Sequence, residues 1–255
     1  MLKLLSRMPR FSPLRFRVWD SCRLRYRYQY VERARPRLRP ADTAGSLVHR
    51  VLCDYFSKVG RADRSEERLL AMFDAGWEAL SARYRQMPGA ADLRQAAISE
   101  LRNFGRCHDL AAQPFALEAY LQTEVAPGII LFGRIDRIDE DADGSLQIID
   151  YKTGADADEL DARQLPLYAI IIERELDRRV SKASFWYLED GRVWTTSLST
   201  QDKRRALEEM LSTIQQMNET GDFPATIGRQ CGYCPYLHCC EQRDEIERRR
   251  AAEGW

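Results

Sequence analysis

Two aspartates and a lysine make the strongest chemical suggestion in this 255-residue chain. Asp136 sits in FGRIDRID, Asp150 in IIDYKTG, and Lys152 follows Asp150 by two residues. If the two segments are neighbouring strands of a hairpin, their carboxylates converge at one end of a sheet. Converging carboxylates attract a hard cation such as Mg²⁺ or Mn²⁺, which prefers oxygen ligands. Side chains alternate along a strand, so Asp150 and Lys152 share a face. The ammonium can then stand beside the metal, orient a water and balance charge that develops on a phosphoryl group. The tripeptide alone means little: a carboxylate two residues before a lysine is expected about 0.8 times by chance at this composition. Its setting means more. The pair follows Leu146, Ile148 and Ile149, an apolar run in which charges need a reason. Lysine is also scarce, with five against 34 arginines.

The elements that must position these groups are legible in the hydrophobic spacing. Residues 45–57 (Leu47, Val48, Val51, Leu52, Tyr55), 65–86 (Leu69, Phe73, Trp77, Leu80, Tyr84) and 91–108 (Leu93, Ala97, Leu101, Phe104) have helical periodicity. The pattern then switches to strands: ALEAYLQTEV, a turn at Ala126-Pro127-Gly128, GIILFGRIDRID, an acidic turn at 141–144, and LQIIDYK. A helix is expected over 160–176 with Pro166 in its first turn or kinking it. A hairpin follows about Asp190-Gly191, then an amphipathic helix over 200–219 and a cysteine-rich end with a charged tail. The expected fold is mixed α/β, a sheet with flanking helices behind a helical first half.

Net charge is zero, but its distribution is uneven. Residues 1–50 carry Lys3 and twelve arginines against Asp20, Glu32 and Asp42, a local excess of ten positive charges. The densest part, RLRYRYQYVERARPRLRP, interleaves arginine with Tyr26, Tyr28 and Tyr30. Guanidinium groups bind phosphate and aromatic faces stack on bases, so this mix suits a nucleic-acid surface; a solvated basic arm is the plainer alternative. No apolar run is long enough to span a membrane, no secretory signal opens the chain, and no P-loop is present. A cytoplasmic protein without its own motor is the expectation.

GRIDRID, a turn, IIDYKTG and then ARQLPLYA together resemble the RecB-like branch of the PD-(D/E)XK nuclease superfamily, which includes CRISPR-adaptation nucleases. Upstream, GSLVH resembles that branch's G-x-x-x-H segment through Gly45 and His49, and Gln164 and Tyr168 fit its Q-x-x-x-Y signature. The resemblance spans Gly45 to Tyr168. It implies a restriction-endonuclease-like core with metal ligands His49, Asp136, Asp150 and the backbone carbonyl of Tyr151. Lys152 would be the catalytic lysine. Gln164 and Tyr168 would position the DNA strand or brace the site. Glu118 is either a further metal or supporting group or an ordinary strand glutamate.

Seven cysteines in a chain of this kind suggest metal or buried thiols rather than disulfides. Cys231, Cys234 and Cys240 form C-x₂-C-x₅-C, and Cys22 lies far upstream. Structural zinc more often uses two close pairs. One early cysteine and three late ones resemble the [4Fe–4S] staple of RecB-like nucleases, which would tie the two ends together. Cys239 competes with Cys240, His238 could join a zinc site, and Arg23 stands where the family often has proline. Cys53 and Cys107 are expected to be buried thiols on helices.

These readings divide the chain into a basic arm (1–44), a helical region (45–115), a nuclease core (116–220) and an iron–sulfur segment (221–255), integrated as one domain. The implied function is Mg²⁺- or Mn²⁺-dependent hydrolysis of DNA phosphodiesters, acting as an exonuclease on single-stranded ends in repair, recombination or CRISPR adaptation. A helicase or an adaptation protein would be its partner. The alternatives are a non-catalytic DNA-binding or docking subunit and a zinc-ribbon interaction protein.

Overall fold

The computed structural model describes residues 9–37, 39–154 and 163–255. Residues 160–162 of the expected helix, and Lys3 and Arg7 of the basic segment, lie outside them.

A six-stranded mixed sheet organises the chain. Its strands are β1 (Arg10–Phe11), β2 (Ala116–Ala126), β3 (Ile129–Glu140), β4 (Leu146–Lys152), β5 (Val180–Tyr187) and β6 (Val193–Ser197). β3 is central. The antiparallel β2 covers one of its edges. The other edge is shared by β1, parallel at Ile130 and Leu131, and β4, antiparallel from Arg137 to Glu140. β4 continues to the parallel β5, and β5 to the antiparallel edge strand β6. The expected hairpin between the two aspartate-bearing strands is therefore present.

Helices cover both faces. α1 (Pro13–Ser21), α7 (Gln164–Leu176) and α8 (Thr200–Glu219) pack on one face around Ile148, Ala183 and Phe185. α3 (Pro40–Lys58), α4 (Glu66–Glu78) and α6 (Ala90–Cys107) pack on the other, against Ile149 and Tyr151. Alternation along β4 thus feeds two cores, as expected for a strand buried on both sides. The short α2 (Arg23–Tyr26) runs into a wider turn over Arg27–Val31, α5 is Ala82–Arg85, and α9 (Arg243–Glu253) closes the chain.

Local signals set the helix ends. The run expected as one helix over 65–86 is broken in two, because Ser81 offers its hydroxyl to the Tyr84 amide and starts a new turn. Ser199 and Asp202 form a reciprocal cap at the start of α8. Pro166 is the third residue of α7, where no intrahelical donor is lost.

The basic segment departs from expectation. Residues 9–31 are part of the packed body instead of forming a solvated arm. Tyr26 and Tyr28 are buried; Tyr26 lies edge-on to Trp19 at 4.9 Å and receives a hydrogen bond from Arg15 Nε at 3.0 Å. The aromatic faces read as a nucleic-acid surface are spent on packing: Tyr26 and Tyr30, four apart on one helical face, meet the sheet core, and Tyr28, on the other side, meets Tyr236. Cys53 and Cys107 also depart. Cys53 is only part-buried and faces a cleft, and Cys107 is exposed because it ends α6 beyond the packed stretch. No helix among the described residues is long and apolar enough to cross a membrane.

Candidate active site

The site lies in the fork where β3 and β4 separate. Pairing between them stops at Arg137–Ile149. One step further, the Tyr151 amide donates to Asp136 Oδ2 at 2.8 Å, so a carboxylate takes the place of a ladder carbonyl. On the other edge of β3 the ladder skips Glu118 opposite Asp136. Glu118 has φ 47°, a left-handed conformation that non-glycine residues seldom adopt. This turn reverses the side-chain phase: Leu117 packs into one core and Ala119 into the other. The pairing register is the same on either side of it, and the left-handed turn alone aims Glu118 at Asp136.

His49 reaches the same point from α3, with Nδ1 3.3 Å from Asp136 Oδ1. Ligand atoms of His49, Glu118 and Asp136 all lie within 4.8 Å of one another. Asp150 stands outside that group. Its carboxylate is engaged by Lys152 Nζ at 2.6 Å and Gln164 Nε2 at 2.7 Å. The structure thus brings Glu118 into the convergent set and holds Asp150 beside it, on Lys152.

The electrostatics fit a cation-binding centre. Burial, then repulsion from Asp136, pushes the Asp150 and Glu118 carboxyls above their usual range. Burial alone would lower the His49 imidazole, but Asp136, by charge and hydrogen bond, and the carboxylates of Asp150 and Glu118 lift it above its ordinary value. Three carboxylates and one imidazole, with Lys152 on Asp150 and Arg134 3.6 Å from Glu118 as the cationic partners, form a donor set that suits a divalent ion.

Glycines explain how the elements come this close. A Cβ on Gly45 would lie 2.7 Å from Thr153 Oγ1, so glycine there lets α3 bring His49 close to β4 with Thr153 undisturbed. A Cβ on Gly133 would lie 2.5 Å from Tyr168 Cε1. Tyr168, 9% exposed, fills that space and approaches Gln164 Nε2 at 3.5 Å. Gln164 therefore contacts Asp150 and Lys152, and Tyr168 contacts Gly133.

Glu100 escaped the sequence reading. It is 7% exposed and accepts the Gly154 amide at 2.7 Å, fixing the chain just past Lys152. Its signal was available: it falls three residues after Ala97 and four before Phe104, on the apolar stripe of α6. The cleft, about 930 Å³, is lined by Glu100, Glu118 and Asp136 and also by Arg39, Arg50 and Arg134.

A family model for the PD-(D/E)XK nuclease superfamily matches residues 10–241. The chain belongs to this superfamily. Membership accounts for the mixed sheet flanked by helices and for a carboxylate-rich centre, since PD-(D/E)XK nucleases use divalent metals. Among solved structures, a Eubacterium rectale protein provisionally named an exonuclease is 11% identical with TM-score 0.47, covering 87% of this chain and 86% of that one. The protein designated SSO0001 is 16% identical with TM-score 0.38, covering 78% and 96%. Likeness at this level says nothing about activity. No curated protein matches the chain.

In this PD-(D/E)XK chain Cys22, Cys231, Cys234 and Cys240 also line one small cavity. Burial raises the Cys234 and Cys240 thiols, and the neighbouring cysteines raise them further. Cys239 is exposed and turned to the Tyr236 carbonyl at 3.4 Å, and neither it nor His238 lines the cavity. The two chain segments also hold each other directly: Leu24 N donates to Pro224 O at 3.3 Å, Arg37 N to Pro235 O at 2.8 Å and Glu241 N to Tyr28 Oη at 3.1 Å.

Proposed function

We propose that this chain is a Mg²⁺- or Mn²⁺-dependent deoxyribonuclease of the RecB-like branch, acting as an exonuclease on single-stranded ends. The convergence of His49, Glu118 and Asp136 beside the Asp150–Lys152 pair carries the reading. His49, Asp136, Asp150, the Tyr151 carbonyl and Glu118 would hold the metal, which supplies Lewis acidity to the phosphate and a lowered pKa to a bound water. Lys152 Nζ, held by Asp150 and by Gln164 Oε1 at 3.5 Å, would orient an attacking water and balance the charge that develops on the phosphoryl group. One P–O ester bond breaks, leaving a phosphomonoester and a hydroxyl. Gln164 keeps Asp150 and Lys152 in register, and Glu100 fixes the backbone that follows them.

The decisive measurement is cleavage of end-labelled single and double strands by wild type, Asp150→Asn and Lys152→Ala, with and without Mg²⁺ or Mn²⁺. Both variants should lose most of the activity while keeping the fold. Undiminished metal-dependent cleavage by both rejects the site, and DNA binding without any cleavage in wild type supports a docking subunit instead. End processing of this kind serves repair, recombination or CRISPR adaptation, alongside a helicase or an adaptation protein.

Cys22, Cys231, Cys234 and Cys240 are proposed to hold a [4Fe–4S] cluster. Their shared cavity supports this, as does their spacing. Among the described residues no three of these sulfurs lie within 4.8 Å of one another. Tetrahedral zinc at ~2.3 Å would draw thiolates to about 3.8 Å. Iron and acid-labile sulfide in an anaerobic, brown preparation are the expected result; a colourless protein with stoichiometric zinc reverses it.

A further inference from the structure

The cysteine-rich segment reaches the rim of the cleft through one residue. Tyr233, between Cys231 and Cys234, is 54% exposed, among the most exposed large side chains of the described chain. Its ring sits 5.3 Å from the guanidinium carbon of Arg39. Arg39 in turn lines the cleft that holds Glu118 and Asp136. Its orientation is fixed, because it immediately precedes α3 and Asp42 receives both its backbone amide, at 2.9 Å, and its Nη2, at 2.9 Å. Arg50, next to His49 in the chain, and Arg134, 3.6 Å from Glu118, line the same cleft. An exposed aromatic face thus stands at the mouth, backed by a held guanidinium, with more guanidinium groups leading inward to the carboxylates.

An exposed ring costs free energy in water that a stacked base would recover, and every nucleobase offers a π-face. A base stacks this way only when it is unpaired, and the phosphate attached to it can meet arginine. We infer that Tyr233 and Arg39 form a substrate-positioning lip: Tyr233 stacks on a base of an unpaired strand, and Arg39 takes the adjacent phosphate. The assignment rests on the nuclease reading above and deepens it by naming the groups that select single strands. It also gives the cysteine-rich segment a role at the substrate, since the fold of that segment sets where Tyr233 stands.

The lip lies at a definite distance from the chemistry. Arg39 and His49 are ten residues apart on one helix, about 15 Å. That is about four nucleotides at the ~3.4 Å rise of a stacked strand. Tyr233 therefore contacts a base several nucleotides from the cut, and very short strands cannot reach both.

The test uses the full chain and a fluorescein-labelled oligothymidine of twelve nucleotides, with Ca²⁺ in place of Mg²⁺ so that binding is read without cleavage. Tyr233→Ala should raise Kd for this strand roughly five- to hundred-fold, the span of one aromatic–base stack. Tyr233→Phe, which keeps the ring, should bind as wild type does. Affinity for a blunt duplex and for a dinucleotide should not change. With 2-aminopurine placed along the strand, fluorescence should be quenched at one position by wild type and restored by Tyr233→Ala. In Mg²⁺ the same variant should raise KM and leave kcat, melting temperature and visible absorbance as in wild type. Equal single-strand affinity of Tyr233→Ala and wild type overturns the lip, as does an equal loss on duplex. Failure of wild type to bind the single strand overturns it too. Binding that depends on Tyr233 without cleavage by wild type removes the nuclease reading and upholds the lip.

Discussion

Gly45 on α3 and Thr153 at the end of β4 meet so closely that a single added carbon at Gly45 would stand 2.7 Å from Thr153 Oγ1. This contact sets the distance between the helix that carries His49 and the strand that carries Asp150 and Lys152. Gly45→Ala should push the two apart, costing about 1–3 kcal/mol of stability, the usual range for overpacking. Metal-dependent cleavage should fall further than stability, because His49 moves with α3. Calorimetry beside a nuclease assay checks this, and wild-type activity in Gly45→Ala would mean that the spacing is not critical.

Gly133 and Tyr168 give a second steric test. Gly133→Ala places a methyl 2.5 Å from the buried Tyr168 ring, so it should destabilise the protein by roughly 1–3 kcal/mol. In Gly133→Ala/Tyr168→Leu the ring is gone and the clash with it. The double variant should be less destabilised than the sum of the single ones. Additive values from denaturant melts would show that the two positions are not in contact.

His108 should make the protein acid-sensitive. It stacks on Trp186, with ring centroids 3.8 Å apart. Burial, helped by Arg137, lowers it from 6.5 to about 4. A folded-state pKa below the unfolded one gives stability that is present above pH ~6.5 and is lost as pH falls through about 4. Discounted for the part of the ring that meets solvent, the loss should be on the order of 1–2 kcal/mol once both states are protonated. Melting curves of wild type and His108→Phe between pH 7 and 4 should diverge over that interval; parallel curves would locate the acid sensitivity elsewhere.

The cysteines should separate into two classes. Cys231→Ser and Cys234→Ser should lose the brown chromophore and melt at lower temperature, since metal-binding free energy adds to folding free energy. Cys239→Ser, altering an exposed thiol outside the shared cavity, should keep both. A bleached Cys239→Ser protein would place Cys239 in the cluster.

Much of the architecture could be read from the chain because it rests on local signals. Apolar spacing marked the helices at 45–57, 91–108 and 200–219 and all the strands from Ala116 onward. Ordered motifs located His49, Asp136, Asp150, Lys152 and Gln164 near one another. What escaped depended on geometry that no spacing rule encodes. The left-handed turn at Glu118 reverses side-chain phase without a glycine or proline to announce it. Glu100 is an acid on an apolar stripe, and its partner is a backbone amide more than fifty residues away. The tyrosines near residue 28 looked like a ligand surface because alternation of arginine and tyrosine is the same whether the rings face water or a core. Tyr233, a single aromatic between two cysteines, carries no spacing signal of its own.

The hydrogen bonds joining Leu24 to Pro224 and Tyr28 to Glu241 also order events during synthesis. A ribosome adding roughly 5–20 residues per second delivers every residue from His49 to Tyr168 several seconds before Tyr233 emerges. The groups assigned to cutting are therefore all made before the segment that would feed them a strand. The growing chain carries its reactive groups before it carries the lip, and the two are clasped together only once residues 224–241 have emerged.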